Sequence, residues 1–304
     1  MFSHLSKQNK HKLLKLLIVF VAGIIYLLSS KYFEYKNRSS IIDSKVAEHD
    51  KYNTVHFLDV GQGDCTLFET FDGKFAVIDT SHEGSSDKII SYLNDIGVEE
   101  IEYLILTHPH SDHIGGGDNI LESFRVNNII MSERTETTSS YKRLINEAKE
   151  SKKEYGTKII NPETDDNFSL GNISFTVISD GKDYENLNSS SICFIAECGK
   201  STFLFTGDAE KDVERDLLDS GVILDAEVYK SAHHGSTTSN LPEFVDSVNP
   251  DICIVSCGKD NDYGHPHREI VEYLEENKID YYITHRDGDI TLLFDENSIL
   301  QPSL

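Results

Sequence analysis

Residues 106–116, LTHPHSDHIGG, constrain this chain more than any other segment of its sequence. They begin at the end of the apolar strand pattern YLILT and place His108, His110, Asp112 and His113 within six residues. Side chains two positions apart on an extended chain point the same way, so His108 and His110 face together. Imidazole and carboxylate groups at this density are typical ligands of transition metals, and packing alone seldom demands them beside three consecutive glycines. The segment predicts two neighbouring cations, one bound by His108 and His110 and the other by Asp112 and His113.

Strand-like and helix-like patterns alternate along the rest of the chain. TVHFLDV, CTLFET and KFAVIDT are rich in β-branched and aromatic residues and are separated by Gly or Asp, which predicts an opening meander. Helices are predicted for DKIISYLNDIG and for residues 118–124 and 141–155, with the strands YLILT and NNIIMS between them. The second half repeats this rhythm from ISFTVIS to DITLLF. Two β-rich halves with helices outside predict an α/β fold, a four-layer αββα sandwich.

The N-terminal segment differs in composition from everything that follows. Residues 13–30 are almost wholly apolar and approach the length of a membrane-spanning helix, and four lysines lie at or before their start. This pattern predicts a signal anchor, with residues 1–12 as a cytoplasmic basic tail and the chain after residue 30 exported. No small-residue cleavage site follows, which favours an uncleaved anchor over a cleaved signal peptide. Residues 31–51 then form a polar tether to a domain spanning 52–304.

The charge distribution limits the partners of that domain. Residues 1–51 hold 9 Lys or Arg and 4 Asp or Glu, which leaves 19 basic and 48 acidic side chains, a formal charge of −29, for the rest of the chain. Such a surface repels polyanions unless a metal site or a local basic groove intervenes, so it disfavours long DNA as a partner. Solubility is the simpler explanation of the excess charge.

The five cysteines, Cys65, Cys193, Cys198, Cys253 and Cys257, lack the spacing of a zinc ribbon. All but Cys257 lie inside strand-like apolar runs, which predicts buried core thiols. An exported location would permit a disulfide, but the odd number leaves at least one thiol free.

The pattern H-x-H-x-D-H after an Asp-ended strand resembles the metallo-β-lactamase superfamily. The resemblance implies that Asp79, at the end of FAVIDT, orients the ligand histidines, and that Asp208, in FLFTGDAE, bridges the two cations. By themselves the two residues have ordinary explanations, a turn aspartate and a helix N-cap.

This sequence departs from the superfamily at one ligand position. The superfamily usually supplies another His before the bridging Asp, but no histidine occurs between His113 and His233. Asn188 and Ser189, in NLNSSSICF, stand at the expected place. His108, His110 and Asp208 alone would leave the first cation with an incomplete shell.

Two histidine doublets follow later strands and offer the missing ligands. In KSAHHGSTTS we assign His234 to the first cation and expect His233 to contact or protonate the substrate. In NDYGHPHREI we assign His265 to the second cation, where the superfamily's last His ligand would fall, while His267 either contacts the substrate or begins a helix. Each doublet contains two candidates, so which member binds metal stays open.

Five motifs narrow the resemblance to one branch. The opening DVGQGD, the Asn/Ser in place of His, GDA, HHGS and GHPH occur in this order in the metallo-β-lactamase domain of the ComEC/Rec2 competence family, which residues 54–296 resemble. The resemblance predicts that Gln62 and Asp64 lie near the rim of the site, although a glycine turn would also explain that loop. We expect substrate contacts from these two residues and also from Asn188 and Ser236. The multi-helix channel of that family has no counterpart here, and the chain is also similar to phosphorylcholine esterases.

These features together predict a membrane-anchored extracellular hydrolase, acting as a monomer. Two divalent cations, with zinc favoured and manganese suitable, would activate water while Asp112 also orients the nucleophile. The expected substrate is a phosphodiester, either DNA or a cell-wall polymer. The alternative is a metal-binding but non-catalytic module of the envelope, linked to DNA uptake.

Overall fold

Two seven-stranded sheets organise residues 52–300, the part of the chain that this computed structural model describes. In the first sheet the order is β14-β1-β2-β3-β4-β5-β6. Its strands are β1 Asn53–Phe57, β2 Thr66–Glu69, β3 Phe75–Ile78, β4 Glu100–Leu106, β5 Arg125–Met131, β6 Lys158–Ile160 and β14 Ile290–Phe294. The C-terminal strand β14 therefore returns to the first half and pairs antiparallel with β1.

The second sheet has the order β13-β12-β11-β10-β9-β8-β7. Its strands are β7 Asn167–Leu170, β8 Ile173–Ser179, β9 Cys193–Cys198, β10 Ser201–Phe205, β11 Val228–Lys230, β12 Ile252–Val255 and β13 Asp280–Ile283. Two short strands, β6 and β7, were not predicted, because three or four residues of mixed polarity carry no clear alternation.

Helices cover the outer faces of both sheets. They are α1 Ser86–Asp95, α2 Ser111–Ile114, α3 Gly117–Ser123, α4 Ser139–Tyr155, α5 Lys211–Ser220, α6 Pro242–Val248, α7 Arg268–Glu276 and α8 Thr284–Asp287, with 3₁₀ turns at Glu83–Ser85 and Ala232–Gly235. One apolar layer joins α1, α3 and α4 to the first sheet, and another joins α5, α6 and α7 to the second. The predicted αββα order is confirmed, because a third apolar layer lies between the sheets.

Aromatic rings fill the layer between the sheets. Phe68, from β2, lies 5.4 Å from the ring centroids of both Phe175 and Phe203 in the second sheet, each edge to face. Such pairs add to the free energy gained from burying apolar surface. The packing fixes the separation of the sheets and so the distance across which their loops meet.

Parallel strands place the loops that matter at one edge. Strands β3 to β6 run parallel in the first sheet, and β10 to β13 run parallel in the second. The carboxyl ends of parallel strands are where the side chains of an α/β site converge. Asp79 follows β3, the segment from His108 follows β4, and Asp208 and His233 follow β10 and β11.

Two further expectations concern the termini and the thiols. The predicted anchor, residues 13–30, lies outside the described residues, and within 52–300 no helix has the length and apolar character needed to cross a bilayer. All five cysteines are buried and free, as expected for core thiols.

Replacing Phe68 by Ala should destabilise the domain by about 3–5 kcal/mol, because the buried ring leaves a cavity between the two sheets. The free energy of unfolding, measured by urea denaturation, tests this. Phe71→Ala is the matched control, since Phe71 lies just beyond β2 and is 50% exposed. Equal losses in the two variants would contradict the role given to the central layer.

Candidate metal centre

Asp79 holds the histidine segment in place after β4. Its carboxylate accepts hydrogen bonds from the backbone N–H and hydroxyl of Thr107, both at 2.8 Å, and Oδ2 lies 2.7 Å from Nδ1 of His113. Asp79 itself is buried and adopts a left-handed conformation with φ of 58°. An imidazole bonded through Nδ1 presents its Nε2 lone pair in a fixed direction, which suits a metal ligand. The structure therefore gives Asp79 the contact that the resemblance implies.

Four side chains converge beside this segment, and we call them the four-residue group. Their ligand atoms all lie within 4.8 Å of one another, and they are Asp112, His113, Asp208 and His234. Nε2 of His113 lies 3.2 Å from Oδ1 of Asp208, and Nε2 of His234 lies 3.4 Å from Oδ2 of Asp112. The first two residues come from the first sheet and the last two from the second, so the group spans both halves of the sandwich.

A second cluster, the three-residue group, comprises His108, His110 and Asp208. Nε2 of His108 lies 3.0 Å from Nδ1 of His110 and 3.8 Å from Oδ2 of Asp208. Asp208 belongs to both groups, which is the arrangement that two cations with a shared carboxylate require.

The polar atoms of the four-residue group fit a cation. Nε2 of His113, Nε2 of His234 and Oδ1 of Asp208 are buried and have no hydrogen-bond partner. Buried polar atoms are nearly always satisfied, so three unsatisfied ones facing each other call for a ligand. Imidazole nitrogen and carboxylate oxygen are the donor set that zinc takes in hydrolase sites.

The carboxylates and imidazoles of the four-residue group shift each other's pKa values. Burial alone would raise the pKa of Asp208, but His113 and His234 hold that pKa well below its usual range. Burial would lower the pKa of His234, yet Asp208 and Asp64 raise it to about 10. Because a cation binds neutral imidazole, it would take over the role that these protons play in neutralising the carboxylates.

His108 has a different environment. Its Nδ1 lies 3.2 Å from the hydroxyl of Ser191 and 3.3 Å from that of Thr107, both neutral partners. Burial, with the positive His113 nearby, lowers the pKa of His108 well below its usual value. Sequence reasoning missed Ser191, whose hydroxyl also accepts the backbone N–H of Asp208 at 3.0 Å. In the sequence, only the run of three serines at 189–191 distinguishes this position.

His234 lies in the four-residue group, not beside His108 and His110 as assigned from the sequence. Its Nδ1 lies 2.9 Å from the carbonyl oxygen of Ser256 and 3.3 Å from Oδ1 of Asp64, which directs Nε2 toward Asp112. The Ala232–Gly235 turn holds His234 at φ 56°, a left-handed conformation that the spacing of the motif does not reveal.

Asp64 is buried and does not lie at the rim, where the DVGQGD motif was expected to contact substrate. Its Oδ2 accepts a hydrogen bond from Nζ of the buried Lys230 at 2.8 Å. The loop before it packs so closely on the metal segment that a Cβ on Gly63 would lie 2.5 Å from the carbonyl oxygen of Asp112. This glycine lets Asp64 point inward, between the two halves. Gln62 does line the cleft.

The remaining histidines surround the groups without joining them. The ring of His265, assigned to the second cation, lies 6.1 Å from that of His234 and belongs to neither group. Nε2 of His233 lies 3.7 Å from Oδ2 of Asp208, and its Nδ1 lies 2.9 Å from the hydroxyl of Thr238. His267 caps α7, and its Nδ1 accepts the backbone N–H of Thr237 at 2.9 Å.

These groups open into one cleft of about 550 Å³. Among the described residues that line it there is no Lys or Arg. The lining residues are Gln62, His82, His110, Ser111, Asp112, Asn188, Asp208, His233, His234, Ser236, Thr238, Tyr263, His265 and His267. Asn188 donates its amide hydrogen to Oε1 of Glu210 at 2.9 Å and lines the cleft as a neutral side chain.

A buried network that sequence reasoning missed supports the histidine turn. The side-chain amide of Asn240 donates to the carbonyl oxygens of Ala232 and Ser236, at 2.9 and 3.0 Å, and so closes the turn that carries His234. Glu214, fully buried in α5, accepts the backbone N–H of Asn240 at 2.5 Å and of Leu241 at 2.9 Å. No motif marked either residue, because their contacts form only in the folded chain.

Known proteins resemble this chain in sequence and fold. The model of the Metallo-beta-lactamase superfamily matches residues 58–259. ComE operon protein 3 of Bacillus subtilis is 29% identical over 203 residues, and Recombination protein 2 of Haemophilus influenzae is 28% identical over 246 residues. The alignments cover 66% and 79% of this chain but only 26% and 29% of those relatives, so the chain spans less than a third of their length.

One more relative in sequence and one solved structure are also similar to this chain. Competence protein ComA of Neisseria gonorrhoeae is 26% identical over 212 residues, which cover 68% of this chain and 27% of that protein. A metallo hydrolase of Ignicoccus hospitalis superposes with a TM-score of 0.50 at 15% identity, covering 80% of this chain and 100% of its own. That likeness shows a shared fold.

Substituting Asp208 by Asn should remove most of the bound metal, since this carboxylate belongs to both groups. Metal content per chain, measured by inductively coupled plasma mass spectrometry after dialysis against zinc, tests this. His82→Ala is the control, because His82 is an exposed histidine of the same cleft outside both groups. Unchanged metal content in Asp208→Asn would contradict the proposed centre.

Glu214 should make stability depend on pH. Burial raises the pKa of Glu214 from 4.5 to about 7, against the lowering effect of the two backbone N–H groups. A carboxyl whose pKa is higher in the folded state takes up a proton on folding, so its contribution to stability falls as the pH rises from 4.5 to 7.

The free energy of unfolding of the wild type, minus that of Glu214→Gln, should therefore drop by up to about 3 kcal/mol between pH 4.5 and 8. Urea denaturation of the metal-free proteins at both pH values measures it. Taking the difference cancels the other titrating groups, and a difference that does not change with pH would contradict the assignment.

Proposed function

Since the chain belongs to the metallo-β-lactamase superfamily, we propose that its domain is a hydrolase of phosphodiesters that works with two divalent cations. The resemblance to the superfamily and to the competence proteins, predicted from the motifs, is confirmed. The observation that carries the proposal is the sharing of Asp208 by two ligand groups at the floor of a cleft. Zinc is the cation we expect from the imidazole-rich donor set, and manganese also suits it.

Divalent cations in this centre would polarise the scissile phosphoryl group and lower the pKa of attacking water. Asp112, whose side chain is 20% exposed to the cleft, is placed to bind metal and to orient that water. His233 is the acid or base nearest the group, with its Nδ1 fixed by Thr238 and its Nε2 facing the cleft side of Asp208. We propose that it protonates the leaving group.

Hydroxyl groups on the cleft wall suit phosphate oxygens. The hydroxyls of Ser236 and Thr238 lie 3.1 Å apart, and both residues line the cleft. Asn188 also lines it, with its side-chain amide donating to Glu210. Such neutral donors bind a singly charged diester without fixed positive charge. The absence of Lys and Arg from the described cleft lining, with the formal charge of −29 beyond residue 51, favours a small or cell-wall phosphodiester over long DNA.

We propose that the domain acts outside the cell membrane as a monomer. The support is the apolar run 13–30 and the lysines at its start, which favour a single anchor with the following chain exported. A tethered domain would act on substrates of the cell envelope.

The alternative function is a metal-binding module without catalysis, acting at the envelope in DNA uptake. The name of one relative, competence protein ComA of Neisseria gonorrhoeae, favours a link to competence. The position of His233 in the cleft beside Asp208 favours the enzyme, because metal binding alone requires no acid or base there.

Hydrolysis of bis(p-nitrophenyl) phosphate by the full chain, purified in detergent and loaded with zinc or manganese, tests the proposal. We expect metal-dependent release of p-nitrophenolate and a loss of at least about 100-fold in kcat/KM for His113→Ala, which removes a ligand of the second cation. His82→Ala should keep wild-type activity. Bound metal without turnover of any phosphodiester would favour the binding module.

A further inference from the structure

We propose that the two cation positions are unequal: the four-residue group binds its cation first and tightly, whereas the three-residue group binds the other weakly and exchanges it. This inference rests on the proposed two-cation function. It concerns which position is filled when metal is scarce, and it follows from the number, burial and support of the ligands in each group.

The four-residue group supplies more ligands, and three of its four side chains are almost fully buried. The side chains are 0% exposed for His113, 1% for His234, 2% for Asp208 and 20% for Asp112. The three-residue group shares Asp208 and adds only His108 and His110, of which His110 is half-buried. Within the described residues no further His, Cys, Asp or Glu joins it. Asn188 lines the same cleft, but its side-chain amide donates to Glu210. Fewer protein ligands mean a lower affinity and more positions open to solvent.

Carboxylates support both histidines of the four-residue group. Oδ2 of Asp79 lies 2.7 Å from Nδ1 of His113. Nδ1 of His234 donates to the carbonyl oxygen of Ser256 at 2.9 Å, and Oδ1 of Asp64 lies beside it at 3.3 Å. A carboxylate behind a ligand imidazole fixes its tautomer and increases its basicity, and loss of such a partner typically costs about 10- to 100-fold in metal affinity.

Lys230 makes the second of these contacts possible. Asp64 would be an uncompensated buried charge without the ammonium 2.8 Å away, and both side chains are almost fully buried. Asp64 and Lys230 are therefore positioning residues that act through His234. The pair also joins the loop after β1 to the end of β11, so it fixes His234 relative to the first sheet.

The histidines of the three-residue group lack such support. Nδ1 of His108 faces the hydroxyls of Ser191 and Thr107, which are neutral and can donate as well as accept. Nε2 of His108 already has a partner in Nδ1 of His110, whereas Nε2 of both His113 and His234 is unsatisfied. The imidazole nitrogens that lack a partner and could bind a cation therefore lie in the four-residue group.

Titration of the metal-free full chain with zinc, followed by isothermal calorimetry with a competing chelator, tests the inference. We expect two steps whose affinities differ by about 100-fold or more. His110→Ala should abolish only the weak step. Asp64→Asn should weaken the tight step about 10-fold or more and leave the weak one in place.

Asp64→Asn alone leaves Lys230 buried without its partner, which endangers folding. The double variant Asp64→Asn/Lys230→Met removes both charges and is expected to recover the thermal stability of the metal-free domain while the tight step stays weakened. Arg143→Met is the matched control, since it breaks an ion pair with Asp118 outside both groups and should change neither step.

The outcomes separate this inference from the function on which it rests. Absence of bound zinc in the wild type would refute the two-cation function itself. Two equal steps, or loss of the tight step in His110→Ala, would overturn only the proposed inequality. Recovery of full tight-step affinity in the double variant would show that Asp64 does not act through His234.

Discussion

The contact between His113 and Asp208 is the one on which the rest of the structure depends. The imidazole follows β4 of the first sheet and the carboxylate follows β10 of the second, and their Nε2 and Oδ1 atoms lie 3.2 Å apart in a fully buried position. Each of the two ligand groups takes side chains from both halves of the sandwich. The site exists because two sheets, each with parallel strands, bring their carboxyl ends to the same edge.

Burying so many ionisable groups costs free energy unless each has a partner. The fold provides these partners as rows of side chains, each in contact with the next. Asp208 faces His113, His113 is held by Asp79, and Asp79 is satisfied by Thr107. On the other side His234 is held by the carbonyl oxygen of Ser256 and lies beside Asp64, which is paired with Lys230. The phenylalanine layer between the sheets holds the two sheets at a fixed separation. A change in that separation would break the contacts between side chains of opposite sheets.

The cleft combines this charged floor with neutral walls. Histidines and two aspartates line it together with neutral side chains, and the described lining holds no Lys or Arg, so positive charge in the cleft would come chiefly from bound metal. Affinity for a substrate anion would therefore depend on metal occupancy, and an acidic exterior would keep polyanions away from an empty centre.

The amino-acid sequence determined the features that short-range geometry governs. Strand alternation and a tight turn fix the spacing of His108, His110, Asp112 and His113, so these ligands and the αββα order could be predicted before the fold was seen. Only the tertiary structure decided which cation group His234 joins and that Asp64 is buried behind it, and it alone revealed Ser191 and Asn240. Those outcomes depend on left-handed turns and on side chains far apart in the chain, whose meeting is set by how two sheets pack rather than by any local pattern.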